Sequence, residues 1–267
     1  MDSSNLKVCL APLNILWGDK SVNLDRLNHL TDEMHPATDL LILPEAFSTG
    51  YPTGMTLGEV QEIAEDINGA TVELLKRLAA RHNIAIVCSL IIKENEKLYN
   101  RILFLEPSGE IFFADKAHLF RMGGENEVLE KGSKRLTLRF RGWNISIIVC
   151  YDLRFPVWCR NKNNEYDLLV VVANWPKVRT FVWETLLAAR AIENLSYVCG
   201  VNCKGFDFSE NEYNGCSLAL DFKGKEISVE VKNSDLQYAV LNKDSLLKFR
   251  DKFPVWMDAD KFRILHE

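Results

Sequence analysis

Short, mainly apolar runs of strand length most constrain what this chain can fold into. They include LLILPE (40–45), IAIVCSLII (84–92), WNISIIVC (143–150) and DLLVVVANW (167–175). The run at 40–45 contains no polar residue before its last one. Such a continuous apolar run is typical of a strand buried on both faces. Leucines at helical spacing occur between such runs, as in SVNLDRLNHLTDEM (21–34). The pattern predicts an α/β fold with two sheets face to face, covered by helices.

The other segments fit the same fold. Turn signals at Ser108-Gly109 and near Arg141-Gly142 each separate two strand-like runs, so we expect two hairpins there. The remaining predicted elements are a strand at 6–13, helices at 58–67, 71–83, 180–195 and 244–253, and late strands at 197–203, 216–222 and 226–233. The length of 267 residues permits one large domain or two small ones.

Composition and charge exclude several classes of protein. A hydrophobic content of 47% and a charged content of 26% are those of an ordinary globular chain. The net charge of -5 provides no basic surface for nucleic acid. The start MDSSNLKVCLAPL does not have the regions of a signal peptide, and no apolar run approaches the roughly 18 residues that span a bilayer. We therefore predict a cytoplasmic protein with no nucleic-acid or membrane partner.

The cysteines and histidines do not form a disulfide or metal pattern. Seven cysteines are odd in number and scattered through apolar runs, which indicates buried, reduced thiols. The histidines form no HxxxH pair, and the closest short cysteine spacing is between Cys199 and Cys203. No metal site is expected from this arrangement.

One cysteine stands where a nucleophile would be presented. Cys150 ends the run WNISIIVC and is followed at once by YDLRFP. A strand-to-helix turn exposes such a side chain above the sheet edge and leaves the next backbone N–H free for an oxyanion. The alternative is a buried structural thiol, which suits Cys88 and Cys199 better. A redox pair of Cys150 with Cys159 is a further alternative, and it would form a reversible disulfide.

Two charged residues at the ends of apolar runs are candidate partners of Cys150. Glu45 follows five apolar residues, where burial of an unpaired carboxylate costs several kcal/mol. Lys116 lies in FFADKAHLF between two apolar patches, and a lysine beside a cysteine lowers the thiol pKa and stabilises an oxyanion. Glu45 could instead emerge into solvent, and Lys116 could lie along an edge strand. His118 is the second choice for a base, and a structural role suits it better.

Four segments together resemble the nitrilase, or carbon–nitrogen hydrolase, superfamily. They are LILPEAFSTGY around Glu45, DKAHLF around Lys116, IVCYDLRFP around Cys150, and the later run VANWPKVRTFVWETLLAARAIENLSYVCGVN. Their order and spacing extend over nearly the whole chain. The resemblance implies a single domain over 1–267 with a four-layer αββα sandwich, and homodimers or larger homo-oligomers. It implies neither a metal nor a cofactor.

The resemblance also implies the site residues. The catalytic triad of the family corresponds to Glu45, Lys116 and Cys150. A second glutamate in the loop after the lysine corresponds to Glu125, with Glu127 and Glu130 as competitors. Cys203 stands where many relatives carry arginine, which puts the substrate preference in question.

The segments HLFRM and CYDLRFPVW resemble the bacterial omega-amidases, which hydrolyse the terminal amide of 2-oxoglutaramate and 2-oxosuccinamate. The small-molecule substrate would then carry a distal carboxylate, for which Arg154 and Arg179 are the candidate partners. Other candidate pocket residues are Phe47, Tyr51, Tyr151, Asn174, Trp175 and Trp183. The alternatives are another small aliphatic amidase, an N-carbamoyl hydrolase, or a non-catalytic scaffold that keeps the fold.

Overall fold

The computed structural model describes residues 4–232 and 234–264, which contain fifteen strands and seven α-helices. The strands are β1 (Asn5–Leu10), β2 (Asn14–Leu16), β3 (Leu40–Ile42), β4 (Ala85–Glu94), β5 (Lys97–Leu105), β6 (Ile111–Asp115), β7 (Leu136–Phe140), β8 (Trp143–Val149), β9 (Leu168–Ala173), β10 (Tyr197–Asn202), β11 (Lys204–Phe206), β12 (Glu212–Asn214), β13 (Leu218–Leu220), β14 (Val229–Glu230) and β15 (Gln237–Asn242). The helices are α1 (Lys20–Asp32), α2 (Leu57–Ile63), α3 (Ala70–His82), α4 (Glu125–Val128), α5 (Pro156–Cys159), α6 (Thr180–Asn194) and α7 (Lys243–Lys252).

Two large sheets carry the architecture. The first has the strand order β14-β15-β1-β3-β4-β5-β6, and the second has the order β13-β10-β9-β8-β7. Strands β1, β3 and β4 are parallel, and two antiparallel pairings then bring β6 into the same direction as β4. Strands β8, β9 and β10 are also parallel. The carboxyl ends of β3 and β6 therefore lie at one edge of the first sheet, and those of β8 to β10 at one edge of the second.

Alternation along the strands divides the core into layers. In β1, Val8 points into the core shared by the two sheets, whereas Cys9 faces the helices outside the first sheet. In β9, Val170 points into the shared core and Val171 packs under α6. Because side chains of a strand alternate between faces, each sheet is apolar on both sides and needs helices outside it. The predicted α/β, αββα arrangement is confirmed.

Several element predictions are also confirmed. Strands β5 and β6 form one predicted hairpin, and β7 and β8 form the other. The helix predicted over 58–67 ends earlier, at Ile63, because Glu65 forms a bridge with Ile92 at the edge of the first sheet. The single domain over 1–267 stays a prediction.

Several short or partly polar strands are not evident from the sequence pattern. Strand β15 pairs along its whole length with β1 in the first sheet, and it was not predicted. A small three-stranded sheet, in the order β12-β11-β2, was also missed. The strands predicted over 216–222 and 226–233 shorten to Leu218–Leu220 and Val229–Glu230, and residue 233 lies outside the described residues.

Candidate active site

Three strand ends bring together the residues that the sequence predicts to be catalytic. Glu45 follows β3 and Lys116 follows β6, both in the first sheet, whereas Cys150 follows β8 in the second. Glu125 is the first residue of α4, in the loop after Lys116. The side chains of Glu45, Lys116 and Glu125 are each about 1% exposed, and Cys150 is half-buried. The site thus lies where the edges of the two sheets meet.

Lys116 lies between two buried carboxylates. Its Nζ is 2.9 Å from Oε1 of Glu45 and 2.9 Å from Oε1 of Glu125. The backbone N–H of Phe120 donates to Oε2 of Glu125 at 2.6 Å. Of the loop glutamates, Glu130 pairs instead with Lys97 at the surface. Burial opposes the charge of Lys116, but Glu125 and Glu45 outweigh it and raise its pKa well above the usual value.

Glu45 is held by donors from three directions. Its Oε1 accepts from Lys116 Nζ and from Asn100 Nδ2, the latter at 2.7 Å. Its Oε2 accepts from the backbone N–H of Asn174 at 2.9 Å. A buried carboxylate needs such donors because it has no water to replace them. The side chain is therefore fixed in one orientation beside the cysteine.

A tight turn presents Cys150. The residue has a φ of +44°, in the left-handed region, and it begins a short 3-10 helix, Cys150–Arg154. Asp152 in this turn accepts the backbone N–H groups of Val149 at 3.1 Å and His118 at 2.9 Å. These bonds tie the turn after β8 to the segment that follows Lys116. A strained backbone of this kind persists only where the surroundings hold it.

The surroundings of Cys150 favour the protonated form of its thiol. Burial raises its pKa well above the usual value, and Glu45 raises it further through its charge and a hydrogen bond, whereas Lys116 acts in the opposite direction. Lys116 therefore lowers the pKa of the Cys150 thiol, as expected, but the combined effect of all surrounding groups is a raised pKa. The reason is that burial and Glu45 together outweigh the ammonium. A thiol next to a carboxylate requires that carboxylate to remove its proton when it reacts.

The cluster opens into a small pocket. The cavity volume of this pocket is about 80 Å³. Six of the predicted pocket residues lie on its walls: Tyr51, Tyr151, Arg154, Asn174, Trp175 and Arg179. The Arg154 guanidinium lies 5.1 Å over the ring of Trp175, and that of Arg179 lies 5.5 Å over the ring of Phe120. Neither arginine pairs with a carboxylate in residues 4–232 and 234–264.

Two buried polar side chains on the walls are unsatisfied. Asn174 is 5% exposed and Tyr51 is 7% exposed. Within the described part of the chain, the side-chain amide N and O of Asn174 form no hydrogen bond, and neither does the hydroxyl of Tyr51. Leaving such groups unpaired costs about 1–3 kcal/mol each. A polar ligand in this pocket would recover that free energy.

Two sequence interpretations, of Phe47 and Trp183 as pocket residues, need correction. Phe47 is fully buried in the core between the first sheet and its helices, so it does not line the pocket. Trp183 likewise packs under the second sheet and donates its indole N–H to the carbonyl of Cys216. His118 has the structural contacts that the sequence favours for it: its ring stacks on Phe155 and its Nδ1 lies 2.7 Å from Asp152. Each of these side chains is held by packing, which strand-end position alone does not reveal.

Two further cysteines bear on the site. Cys159 is fully buried and its Sγ donates to the carbonyl of Asp152 at 3.4 Å, and both it and Cys150 are free thiols. Cys203 follows β10 and is also fully buried, and burial raises its pKa well above the usual value, with Glu45 contributing. It therefore lies near the cluster but is not on the pocket wall.

Several residues of the site carry no clear signal in the sequence. Asn100, in the first half of β5, donates a hydrogen bond to Glu45, and the partly polar start of the strand KLYNRILFL gives no signal that singles it out. Asp207 and Tyr213 also line the pocket. The carboxylate of Asp207 accepts the Tyr213 hydroxyl at 2.9 Å and the backbone N–H of Asn211 at 3.0 Å, so it organises its own loop. No motif marked this loop.

The fold and the buried glutamate–lysine–cysteine cluster define a class of hydrolases, and sequence comparison agrees. The carbon-nitrogen hydrolase family matches residues 7–247, and the chain belongs to this family. Enzymes of the family hydrolyse carbon–nitrogen bonds, here of amides. No helix among the described residues has the length and apolar character to cross a bilayer. No group of three or more side chains suited to hold a metal occurs within those same ranges.

Particular relatives refine this placement. The chain is 37% identical to the omega-amidase YafV of Yersinia enterocolitica over 98% of this chain and 100% of that protein. It is 31% identical to the 2-oxoglutaramate amidase of Bacillus subtilis, over 93% of this chain and 95% of the relative. A solved CN-hydrolase superfamily protein from Xanthomonas campestris, with an arsenic adduct in its active site, superposes with a TM-score of 0.91 at 36% identity, covering 97% of this chain and 99% of that one. The predicted resemblance to the omega-amidase-like branch is confirmed.

Proposed function

We propose that the protein is an omega-amidase that hydrolyses the terminal amide of 2-oxoglutaramate, 2-oxosuccinamate and similar dicarboxylic monoamides to the acid and ammonia. The observation that carries this proposal is a buried cluster of Glu45, Lys116 and Cys150 in a small pocket. The pocket wall also holds two arginines that pair with no carboxylate among the described residues. The full-length likeness to curated omega-amidases supports the same substrate class.

In the first half of the proposed reaction, Glu45 takes the thiol proton of Cys150 as sulfur bonds to the amide carbon. The carbonyl oxygen becomes an oxyanion, which receives hydrogen bonds from Lys116 Nζ and the backbone N–H of Tyr151. Glu45 then gives its proton to the amide nitrogen, the carbon–nitrogen bond breaks, and ammonia leaves. A thioester between the acyl group and Cys150 remains.

In the second half, a water molecule attacks the thioester carbon while Glu45 takes one of its protons. The tetrahedral intermediate collapses, the carbon–sulfur bond breaks, and the sulfur regains a proton from Glu45. The acid product leaves and the thiol of the resting site is restored. Glu125 holds Lys116 in place through the 2.9 Å contact between them.

Arg154 and Arg179 are the proposed partners of the distal carboxylate. Both lie on the pocket wall, and a guanidinium binds a carboxylate with two charge-assisted hydrogen bonds. The unpaired amide of Asn174 and the hydroxyl of Tyr51 would then contact the other polar atoms of the substrate. A small substrate with polar groups at both ends would offer partners to Asn174, Tyr51 and the two arginines.

The test is ammonia release from 2-oxoglutaramate by the wild type and by Cys150→Ala, with Cys216→Ala as the matched control. Cys216 is a half-buried thiol outside the pocket. We expect release by the wild type and the control, and none by Cys150→Ala. Activity only on amides without a distal carboxylate would favour a general aliphatic amidase, and carbon dioxide released with ammonia from N-carbamoyl compounds would favour a carbamoyl hydrolase. Inertness towards all of these would favour the scaffold.

We also propose that the enzyme is cytoplasmic and works as a homodimer or larger homo-oligomer. Large apolar side chains near the start of α6 support association, since Val178 is 88% and Phe181 79% exposed. Light scattering on the purified protein tests the assembly, and a monomer mass at micromolar concentration would contradict it.

A further inference from the structure

Asn100 is a buried amide in β5, between Tyr99 and Arg101. Its side chain is 0% exposed. Nδ2 donates to Oε1 of Glu45 at 2.7 Å and approaches Oε1 of Glu125 at 3.5 Å. Its backbone carbonyl also accepts the N–H of Lys116 at 2.9 Å. One residue of the strand thus contacts both carboxylates of the cluster and the backbone of Lys116.

The two oxygens of Glu45 are not equivalent. A carboxylate oxygen offers about two acceptor positions. On Oε1 both positions are filled, by Lys116 Nζ at 2.9 Å and Asn100 Nδ2 at 2.7 Å. On Oε2 one position is filled, by the backbone N–H of Asn174. Only Oε2 therefore has a free position to accept a proton, and the two donors on Oε1 also make that oxygen the weaker base.

We propose that Asn100 is a positioning residue that occupies Oε1 of Glu45 and so makes Oε2 the oxygen that carries the proton between Cys150, the leaving nitrogen and water. The inference rests on the proposed function, because it refines the role of Glu45 in that reaction. Lys116 alone would leave one position on Oε1 open, and the proton could then reside on either oxygen. With Asn100 in place, a single oxygen faces every proton transfer.

The amide also supplies this hydrogen bond without adding charge. The titratable groups that face Glu45 are Lys116, Glu125, Cys150, Tyr51 and Cys203. Two carboxylates already share one ammonium there, and burial raises the pKa of Glu125. A third ionised carboxylate at the Asn100 position would repel both. A neutral hydrogen-bond donor therefore suits this position better than a charged group.

The substitution Asn100→Asp turns this reasoning into a pH test. The aspartic acid is close in shape to the amide, and when protonated it carries an O–H donor for Oε1. We expect this variant to approach wild-type kcat at low pH and to lose activity as the pH rises and the carboxyl ionises. Asn100→Ala provides no donor at any pH. We expect its kcat to fall about 10- to 100-fold at all pH values, with KM within about threefold, as for the loss of one bond to a charged group.

Asn161→Asp is the matched control. Asn161 is a buried asparagine, 5% exposed, that bonds the carbonyls of Tyr166 and Asn194. We expect this variant to lose stability without moving the pH profile of kcat. The profiles are compared at equal fractions of folded protein by circular dichroism, and Asn100→Ser replaces Asn100→Ala if the alanine variant does not fold. The proposal is overturned if Asn100→Asp and Asn100→Ala have parallel pH profiles, or if their losses appear in KM alone.

A second measurement keeps this inference separate from the substrate proposal. The rate of alkylation of Cys150 by iodoacetamide, followed by peptide mapping, reports the reactivity of the thiol without any amide substrate. We expect its pH profile to move upward in Asn100→Asp and to stay in place in Asn161→Asp. If 2-oxoglutaramate is inert but the profile moves, the proposed substrate is wrong and the role of Asn100 stands. An unmoved profile in an enzyme that hydrolyses 2-oxoglutaramate overturns the role of Asn100 alone.

Discussion

Replacing Lys116 by methionine removes the one cation between two buried carboxylates. At an effective dielectric constant of about 20, unit charges 2.9 Å apart attract by about 6 kcal/mol, most of which desolvation offsets. Methionine fills a similar volume, so packing changes little. Removing one partner of a buried ion pair costs about 3–5 kcal/mol, because the other charge is left uncompensated. We expect Lys116→Met to lower the free energy of unfolding by this amount near neutral pH.

The loss depends on pH in a defined direction. Burial raises the pKa of Glu125, and Lys116 opposes that rise. Without Lys116, the folded-state pKa of Glu125 rises further above its unfolded value. A carboxyl with a raised folded pKa contributes stability at low pH, which is lost as the pH rises through that pKa. The deficit of Lys116→Met should therefore be largest at about pH 8 and shrink towards about pH 5.

Urea unfolding followed by tryptophan fluorescence across this pH range measures the effect. The matched control is Lys76→Met, which removes a surface pair with Glu73 at 2.7 Å and should cost less than about 1 kcal/mol. Adding Glu125→Gln to Lys116→Met should restore part of the stability, because one unpaired carboxylate is removed. Equal losses in Lys116→Met and Lys76→Met, or a deficit that does not change with pH, would refute the reasoning.

Three further changes test other parts of the structure. Arg179→Ala should lower kcat/KM for 2-oxoglutaramate about 10- to 100-fold and leave kcat/KM for amides without a distal carboxylate unchanged. The control is Arg139→Ala, at an exposed arginine. An equal loss on both kinds of substrate would contradict carboxylate binding by Arg179. Asp152→Asn should cost about 1–3 kcal/mol in urea unfolding, because one of two backbone N–H groups then meets an amide NH2, and an unchanged midpoint would contradict this. Gly132→Ala would place its Cβ 2.0 Å from the carbonyl oxygen of Asp115. We expect it to cost about 1–3 kcal/mol in thermal unfolding, against no loss in Gly58→Ala, where nothing lies within reach.

The sequence predicts the fold class well because its central strands are apolar on both faces. Residues 168–173 could hardly form anything but a buried strand, and the structure has β9 there. Strand β15 escaped prediction because its half-buried, partly polar sequence gives a weak pattern. Its position is determined by pairing with β1, more than two hundred residues away in the chain. Local pattern contains no information on such a pairing.

The candidate site was predictable where a charged or reactive residue ends an apolar strand. Glu45, Lys116 and Cys150 each follow a strand at the shared edge, so their meeting follows from the direction of the strands. Asn100 lies within a strand rather than at its end, and its role depends on which face of β5 it occupies. Phe47 lies close to Glu45 in sequence, yet it turns into the core. Proximity along the chain indicates a neighbourhood, whereas the direction of a side chain depends on tertiary packing.

The division of the cluster between two sheets has a consequence for refolding. Glu45 and Lys116 come from the first sheet and Cys150 from the second, so neither sheet alone brings the nucleophile to its base. Circular dichroism responds as soon as strands and helices form. Ammonia release after dilution from denaturant must wait until the faces of the two sheets dock and exclude water. The rate at which activity returns therefore measures the rate of that docking step, separately from the recovery of secondary structure by circular dichroism.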